Sequence, residues 1–221
     1  MEIKDRLQES YIEHVLHHGE QPKTVFLFAK ENEITEEEFY THFGSFESID
    51  IRIWKGLMND AIREVRSQEV WAQYSSREKA LSLFYGFMEL LKSKRSFITF
   101  SLRNAKSKIG LSNLFEGMKQ EFELFSAEII QEGLESGELT DRPFFAGKYK
   151  DALWVQLGFV INFWLKDTSA GFDKTDEAIE KGVNVTYNLF ERSPIDELFE
   201  YGKFLAKNSG IKMQFSYDKK K

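Results

Sequence analysis

The 221-residue chain contains no cysteine and only three prolines, at positions 22, 143 and 194. Without cysteine, the chain cannot form disulfides, thiolate metal sites or a cysteine nucleophile. Strands are also poorly supported, because alternating β-branched residues are scarce and no Asn-Gly hairpin turn occurs. Since strands are poorly supported, we expect a helical protein, and the spacing of the apolar residues tests that expectation.

Long apolar runs are missing as well. The longest, 152–165, has 14 residues and includes Gln156 and Asn162, whereas a membrane-spanning helix needs about 20 apolar residues. The first six residues lack the basic and apolar segments of a signal peptide. We therefore expect a cytoplasmic protein without a transmembrane segment, in which 152–165 is buried in the protein or at a subunit interface.

Apolar residues recur every three or four positions over most of the chain, which predicts an all-α fold. Gly19 is expected to end the first helix, Thr35 to cap the third and Ser45 to cap a long fourth. Aromatic residues make up 15% of the sequence, so much of the core must consist of rings. The predicted helices are about 4–18, from Pro22 to a turn at 32–34, between Thr35 and Gly44, 46–67, 76–92, 95–104, 109–136, 147–166, 173–192 and 195–208.

The stretch between Phe28 and Ile49 resembles the helix-turn-helix signature of TetR-family transcriptional regulators. It reads FAKENEITEEEFYTHFGSFESI, with an apolar-Ala pair before the turn, Ile-Thr after it, and then Phe-Tyr, His-Phe and Gly-Ser pairs. Gly19 lies where that family ends its first helix. The segment 130–139 resembles a part of the family's C-terminal domains.

This resemblance implies a TetR-like fold with a three-helix helix-turn-helix head and a larger C-terminal helical body for ligand binding and dimerisation. We call residues 1–50 the head and residues 51–221 the body, and the helix at about 46–67 connects them. The implied homodimer forms through the last two long helices, at about 147–166 and 173–192. The implied function is transcriptional regulation, in which an apolar small molecule in the body controls DNA binding by the head.

The candidate DNA contacts lie on and around the third helix, which would enter the major groove of duplex DNA. Hydroxyl, imidazole and ammonium groups there could hold phosphates, and a carboxylate can accept a hydrogen bond from cytosine. The candidates are Lys23, Thr24, Thr35, Glu36, Glu37, Tyr40, Thr41 and His42.

The head departs from the TetR signature in residue type and in charge. Glu33 stands where the family has Gly, Phe46 where it has a phosphate-binding Lys, and 36–38 is a run of Glu where small or basic residues are usual. Residues 1–60 contain six basic and thirteen acidic residues, a net charge of −7, and the remaining residues carry +1. Phosphate neutralisation supplies most of the affinity for duplex DNA, so this charge opposes DNA binding and leaves two alternatives for the head.

The alternative function is that of a TetR-fold protein that binds a lipid or another protein and has lost DNA binding. A run from Lys92 to Lys108 contains six basic residues and no acidic one, interleaved with Phe97, Ile98 and Phe100. Such a run suits an anionic surface or the acidic head of another molecule. A solvated basic helix face would have the same composition.

Aromatic and Met side chains of the body could line a pocket for an apolar small molecule or lipid, or could form an ordinary core. Gln156 and Asn162 could supply polar contacts within it. The pocket candidates are Phe84, Phe87, Met88, Phe97, Phe115, Met118, Phe122, Phe125, Trp154, Phe159, Asn162 and Phe163.

Signals for catalysis are weak. The sequence has no Gly-rich phosphate loop, nucleophile elbow or paired-carboxylate motif. His14 and His18 share a helix face with no carboxylate placed to complete a metal site. We therefore expect neither an enzyme nor a bound metal or cofactor.

Overall fold

The computed structural model describes residues 2–105, 108–142 and 146–191. Within these ranges the fold is all-α and contains no strand, as the apolar spacing predicted. The α-helices are α1 (Ile3–His18), α2 (Val25–Glu31), α3 (Glu36–His42), α4 (Phe46–Arg66), α5 (Ser76–Ser93), α6 (Arg95–Asn104), α7 (Lys108–Ser136), α8 (Tyr149–Lys166) and α9 (Asp173–Phe190). The predicted helix at 195–208 lies outside the described residues. None of the described helices is long and apolar enough to cross a membrane.

The helix ends follow local capping chemistry. Gly19 ends α1 in the left-handed conformation, with φ of 70°, and its amide donates to Val15. The Ser45 hydroxyl accepts from the Ser48 amide, and the Ser48 hydroxyl accepts from the Ser45 amide, so a reciprocal capping box starts α4. Both predicted ends are confirmed.

Helix α2 begins later than predicted. Pro22 is buried in the preceding loop, and the helix starts at Val25. Thr24 has an extended backbone, and its hydroxyl accepts from the Leu27 amide at 3.2 Å. The prediction that Pro22 opens this helix is wrong, because the Thr24 cap fixes the helix start at Val25, three residues further on.

The core is continuous from the first helix to the last of the described residues. Helix α4 packs against α5 and α7, while α9 packs against α5 and α8. The largest fully buried side chains include Trp54 of α4, Trp164 of α8 and Tyr187 of α9. The long connecting helix is therefore part of the body core along most of its length.

The end of α7 is held against the start of α5. Gly137 has φ of 77°, which reverses the chain so that the Leu139 amide donates to the Gly133 carbonyl at 2.9 Å. The Glu138 carboxylate that follows accepts from the backbone amides of Ser76 and Arg77 at 2.8 and 3.0 Å. A carboxylate at a helix N-terminus is stabilised by free amides and the helix dipole, so this turn links the two helices.

Candidate functional site

The helix-turn-helix of the head is formed by α2, a tight turn and α3. Glu33 in the turn has φ of 57°, a conformation that favours glycine. The Asn32 side chain donates to the Phe28 carbonyl at 2.8 Å and closes the end of α2. Thr35 caps α3 as predicted, since its hydroxyl accepts from the Glu38 amide at 3.0 Å. Three Glu residues in the first turn of α3 favour this helix through its dipole.

A cluster of aromatic rings fixes the angle between the head helices. Tyr11 of α1 stacks on Phe46 with ring centroids 5.6 Å apart, and Phe28 and Phe39 meet Phe46 edge to face. Phe46 is only 8% exposed. The residue that stands where the TetR signature has Lys is therefore a core residue, and it offers no charge to a phosphate.

The candidate DNA contacts all lie at the protein surface except His42, which is half-buried. Three of their hydroxyls are already used: Thr24 and Thr35 cap helices, and Thr41 donates to the Glu38 carbonyl at 2.7 Å. Tyr40 is 52% exposed, with its ring edge on Phe39. Among the described residues, five of the candidates form no side-chain hydrogen bond or ion pair: Lys23, Glu36, Glu37, Tyr40 and His42.

Contacts within the chain engage some of the cations in and beside the head. The Arg6 guanidinium donates to the Asn32 carbonyl, and Arg52 pairs with Asp5. Only Lys4, Lys23 and Lys30 remain as fully exposed bases of the head without a partner in the described ranges. The exposed head carboxylates without an ion-pair partner in the same ranges are Glu2, Glu9, Glu13, Glu20, Glu33, Glu36, Glu37 and Glu47.

The head also exposes apolar side chains that the sequence reasoning did not select. Phe26 and Leu27, adjacent in the first turn of α2, are 57% and 45% exposed, and Leu16 of α1 is 52% exposed. The signal for them was present in the sequence, because Phe28 and Ala29 occupy the inward positions of this short helix and leave Phe26 and Leu27 outside.

The pocket candidates separate into a buried, a half-buried and an exposed group. The buried ones are Phe84, Phe87, Met88, Phe97, Met118, Phe122 and Phe125; Phe115 and Trp154 are half-buried; Phe159, Asn162 and Phe163 are exposed.

Ring contacts show that the buried candidates do not share one centre. Phe84 and Trp154 both contact Phe122, at centroid distances of 6.2 and 5.6 Å. Phe97 instead meets Tyr11 of the head, and Phe125 meets Trp71. The rings around Phe122 are thus the part of the set that could border a ligand.

Helices α8 and α9 together expose an apolar face. Phe159 and Phe163 of α8 are 65% and 42% exposed, and Val185 and Leu189 of α9 are 60% and 52% exposed. An open groove of about 530 Å³ lies beside the α8 part of this face, where Phe159, Asn162 and Phe163 border it together with Lys166 and Lys174. The exposure of Phe159 and Phe163 shows that 152–165 is not buried all round within one chain. Exposed apolar side chains that lie together mark an interaction surface.

Part of the basic run of the body is used within the chain. Lys92 pairs with Glu89 at 2.7 Å and with Asp176 at 3.2 Å. The Arg95 guanidinium donates to the carbonyl oxygens of Trp164 and Leu165 and lies over the Trp164 ring. These two cations connect α5 and α6 to α8 and α9, so they are not available to an anionic surface.

A buried acid lies where the head meets the body. Asp50 of α4 is 3% exposed, and one of its carboxylate oxygens accepts from the Tyr11 hydroxyl at 3.2 Å. Burial raises the pKa of the Asp50 carboxyl to about 7, and the Glu47 charge adds to the rise, whereas the hydroxyls of Tyr11 and Ser101 oppose it. No group of three or more residues suited to metal binding occurs among the described side chains.

Comparison with known proteins relates this chain to tetracycline-repressor-like proteins. Residues 79–205 match the family model described as the tetracyclin repressor-like C-terminal domain. A solved structure from Shewanella sp. PV-4, described as a candidate TetR-family transcription regulator, superposes with a TM-score of 0.60 at 15% identity, covering 87% of this chain and 100% of that chain. A protein of unknown function from Rhodococcus sp. RHA1 superposes with a TM-score of 0.58 at 11% identity, covering 87% and 97%. No curated protein matches the sequence significantly.

Proposed function

The chain belongs to the tetracycline-repressor-like (TetR) family of transcription regulators, and on that premise we propose that its head binds duplex DNA under the control of an apolar ligand in the body. The observation that carries the proposal is the geometry of α2 and α3. Two seven-residue helices enclose a turn at Glu33, and the outward residues of α3 make few contacts within the chain. In a helix-turn-helix the second helix enters the major groove, where such outward residues reach the bases.

The proposal assigns different roles to the exposed residues of the head. Lys23 and His42 contact phosphates, while Tyr40 and Thr41 lie on the outward face of α3. Glu36 or Glu37 accepts from a cytosine amino group. With three unpaired bases on the head, we expect few phosphate contacts and a shallow dependence of affinity on salt.

Fluorescence anisotropy with a labelled pool of random duplexes tests DNA binding directly. At ~50 mM salt we expect binding that weakens at ~200 mM, and we expect Lys23→Ala and Tyr40→Ala each to reduce affinity about tenfold. Lys181→Ala on α9 is the matched control and should leave affinity unchanged. Absence of binding by the wild-type protein at the lower salt concentration would show that the head is not a DNA reader.

For the ligand, the support is the contact of Phe84 and Trp154 with Phe122, because a cluster of apolar rings suits an apolar molecule. Native mass spectrometry of the purified dimer should detect a co-purifying small molecule that organic solvent removes. Phe122→Ala would enlarge the space beside Phe84 and Trp154 and should change the bound mass or its occupancy, whereas Leu124→Ala at the surface should not. A protein that carries no added mass, and whose melting temperature no apolar compound raises, would contradict ligand control.

A second candidate function is a head that binds a basic protein surface. The specific observation in its favour is the combination of eight unpaired, exposed carboxylates with the exposed pair Phe26 and Leu27. Charge complementarity would select a cationic partner, and the apolar pair would supply buried area. Anisotropy with a labelled amphipathic Lys/Leu peptide distinguishes the two functions: this candidate requires loss of binding in Phe26→Ser/Leu27→Ser and no effect of Lys23→Ala.

A further inference from the structure

The Asp50 carboxylate lies where the head meets the body. It lies on α4, which leads from the head into the body. One oxygen accepts from Tyr11 of head helix α1. The other forms no hydrogen bond of ordinary geometry among the described residues, although the Ser101 hydroxyl of body helix α6 is close enough to lower the pKa of the carboxyl. A buried carboxylate normally has its oxygens satisfied, so this unpartnered oxygen requires an explanation.

The surroundings of Asp50 are apolar and tightly packed. The Tyr11 ring stacks on Phe46 and meets Phe97 of body helix α6 edge to face at 6.2 Å. One turn further along α4, the Trp54 indole donates to the Ser101 hydroxyl of α6 at 3.1 Å. We call the contact formed by Tyr11, Asp50, Trp54, Phe97 and Ser101 the joint.

The charged groups around the joint leave Asp50 without a counter-ion in the described part of the chain. Glu47, on the same helix, is a like charge that raises the pKa of Asp50 further. The basic neighbours on α4 are engaged elsewhere, Arg52 with Asp5 of α1 and Lys55 with Glu121 of α7.

The remaining faces of the joint carry hydroxyl, amide and imidazole groups. From α1 the joint receives the Tyr11 hydroxyl, which also accepts from Gln21 at 3.1 Å, and from α6 it receives the Ser101 hydroxyl. His14 lies one turn along α1 from Tyr11, and burial lowers the pKa of its imidazole from 6.5.

We propose that Asp50 is a proton-operated latch, which holds α1 and α4 against α6 while its carboxyl is protonated and loosens that joint when the carboxyl is ionised. A protonated acid carries no charge, and the oxygen that now has no partner becomes a hydroxyl that can donate to the nearby Ser101 oxygen. An ionised carboxylate in the same place is an uncompensated buried charge, which is relieved when water enters the joint. The latch does not require that the head bind DNA.

The direction of the pH effect follows from the burial of Asp50. The pKa of this carboxyl in the folded protein is raised from an ordinary value of 3.8 to about 7. Raising the pH through that interval therefore removes stability from the closed joint, and above it the loss is complete. A change near neutral pH would alter the position of α1 and α4 relative to α6, and hence the head.

The test uses the full-length protein labelled with 5-fluorotryptophan, in which each Trp gives its own ¹⁹F resonance and Trp54→Phe assigns the resonance of the joint. We expect the Trp54 resonance to titrate with a midpoint near pH 7. Asp50→Asn should abolish the titration. Tyr11→Phe should move the midpoint up, because it removes a hydroxyl that stabilises the ionised form, and Glu47→Gln should move it down. His14→Gln is the matched control and should leave the midpoint unchanged.

Opening of the joint is read from hydrogen exchange corrected for the intrinsic pH dependence of exchange. Protection of α1 and α6 should fall as the pH rises from about 4 to 7 and level off above 7 in the wild-type protein. It should stay constant in Asp50→Asn, while α9 serves as the internal reference. A Trp54 resonance that does not move, or that moves equally in Asp50→Asn, overturns the proposal. The proposal is also overturned if the Trp54 resonance titrates with Asp50 while the hydrogen-exchange protection of α1 and α6 stays unchanged. If Asp50→Asn does not fold, opposite midpoint shifts in Tyr11→Phe and Glu47→Gln keep the test decisive.

Discussion

Phe46 illustrates how one residue can change the surface of the head while preserving its fold. Its ring is buried against Tyr11 and Phe28, so it helps to hold α1 and α2 at the start of α4. An aromatic pair of this kind contributes about 0.5–1.5 kcal/mol beyond the area it buries. The same position can therefore stabilise the head without contributing a cation for DNA.

Glu33 is the residue whose replacement should stabilise the head. Its φ of 57° places it in the left-handed region, which costs a non-glycine residue about 1 kcal/mol. We expect Glu33→Gly to raise the free energy of unfolding by up to about 1 kcal/mol. Urea denaturation measures the change. Lys30→Gly, within α2, is the matched control and should destabilise by a similar amount, so a loss in both variants would contradict the assignment of strain to Glu33.

Among the secondary-structure elements, the end of α7 shows why glycine occurs twice within five residues. Gly137 supplies the left-handed turn, and Gly133 lets the returning chain pack on the helix. Glu138 is thereby placed to accept from the first amides of α5. The turn thus joins α7 to α5, which themselves pack in the body core.

Gly133→Ala should disrupt this element. A Cβ at position 133 would lie 2.8 Å from Cγ of Leu139 and 3.0 Å from Cβ of Ser76. Overpacking of this kind typically costs about 1–3 kcal/mol, and we expect a loss of unfolding free energy in that range by urea denaturation. A Cβ at Gly56 of α4 meets nothing within 4 Å. Gly56→Ala should therefore gain up to about 1 kcal/mol, and equal losses at both positions would argue against the close approach.

For the whole molecule, the positions of the exposed apolar side chains bear more on dimerisation than their number does. The exposed side chains on α8 and α9 occupy neighbouring helices, and the resemblance to TetR regulators leads us to expect a dimer interface there. Leu124 of α7 is more exposed still, at 69%, but it lies on another helix beside a groove that also contains Arg63 and Arg66. Among the described residues, α8 and α9 contribute four of the large exposed apolar side chains, Phe159, Phe163, Val185 and Leu189, to a pair of neighbouring helices.

Replacing Phe159 and Phe163 together by Glu should convert a dimer into a monomer. The two carboxylates would be buried and unpaired in a two-fold interface, where each copy presents the same face. Size-exclusion chromatography with light scattering measures the mass, and circular dichroism checks that the chain is still helical. Leu124→Glu is the matched control and should remain dimeric. A dimer that persists in the double variant would place the interface elsewhere.

Local patterns predicted most of the fold, because helices depend on the spacing of neighbouring residues. The predicted bounds of α4 to α9 agree with the structure within a few residues, as do the caps at Thr35 and Ser45. Helix α2 was placed too early, since proline is common at a helix start and the Thr24 cap was overlooked. The exposed positions of the candidate DNA contacts also follow from helix periodicity, whereas their role in binding is still a prediction.

The spacing of apolar residues determined an all-helical chain, and the composition determined the acidity of its head. The family resemblance came from the residues of the helix-turn-helix signature. Only the tertiary structure decided how the individual side chains are used. It buried Asp50 without a counter-ion, engaged Lys92 and Arg95 within the chain, and placed Phe97 at the joint with the head. The physical reason is range: helix formation and capping act over a few residues, whereas burial and ion pairing depend on helices that lie far apart in the sequence.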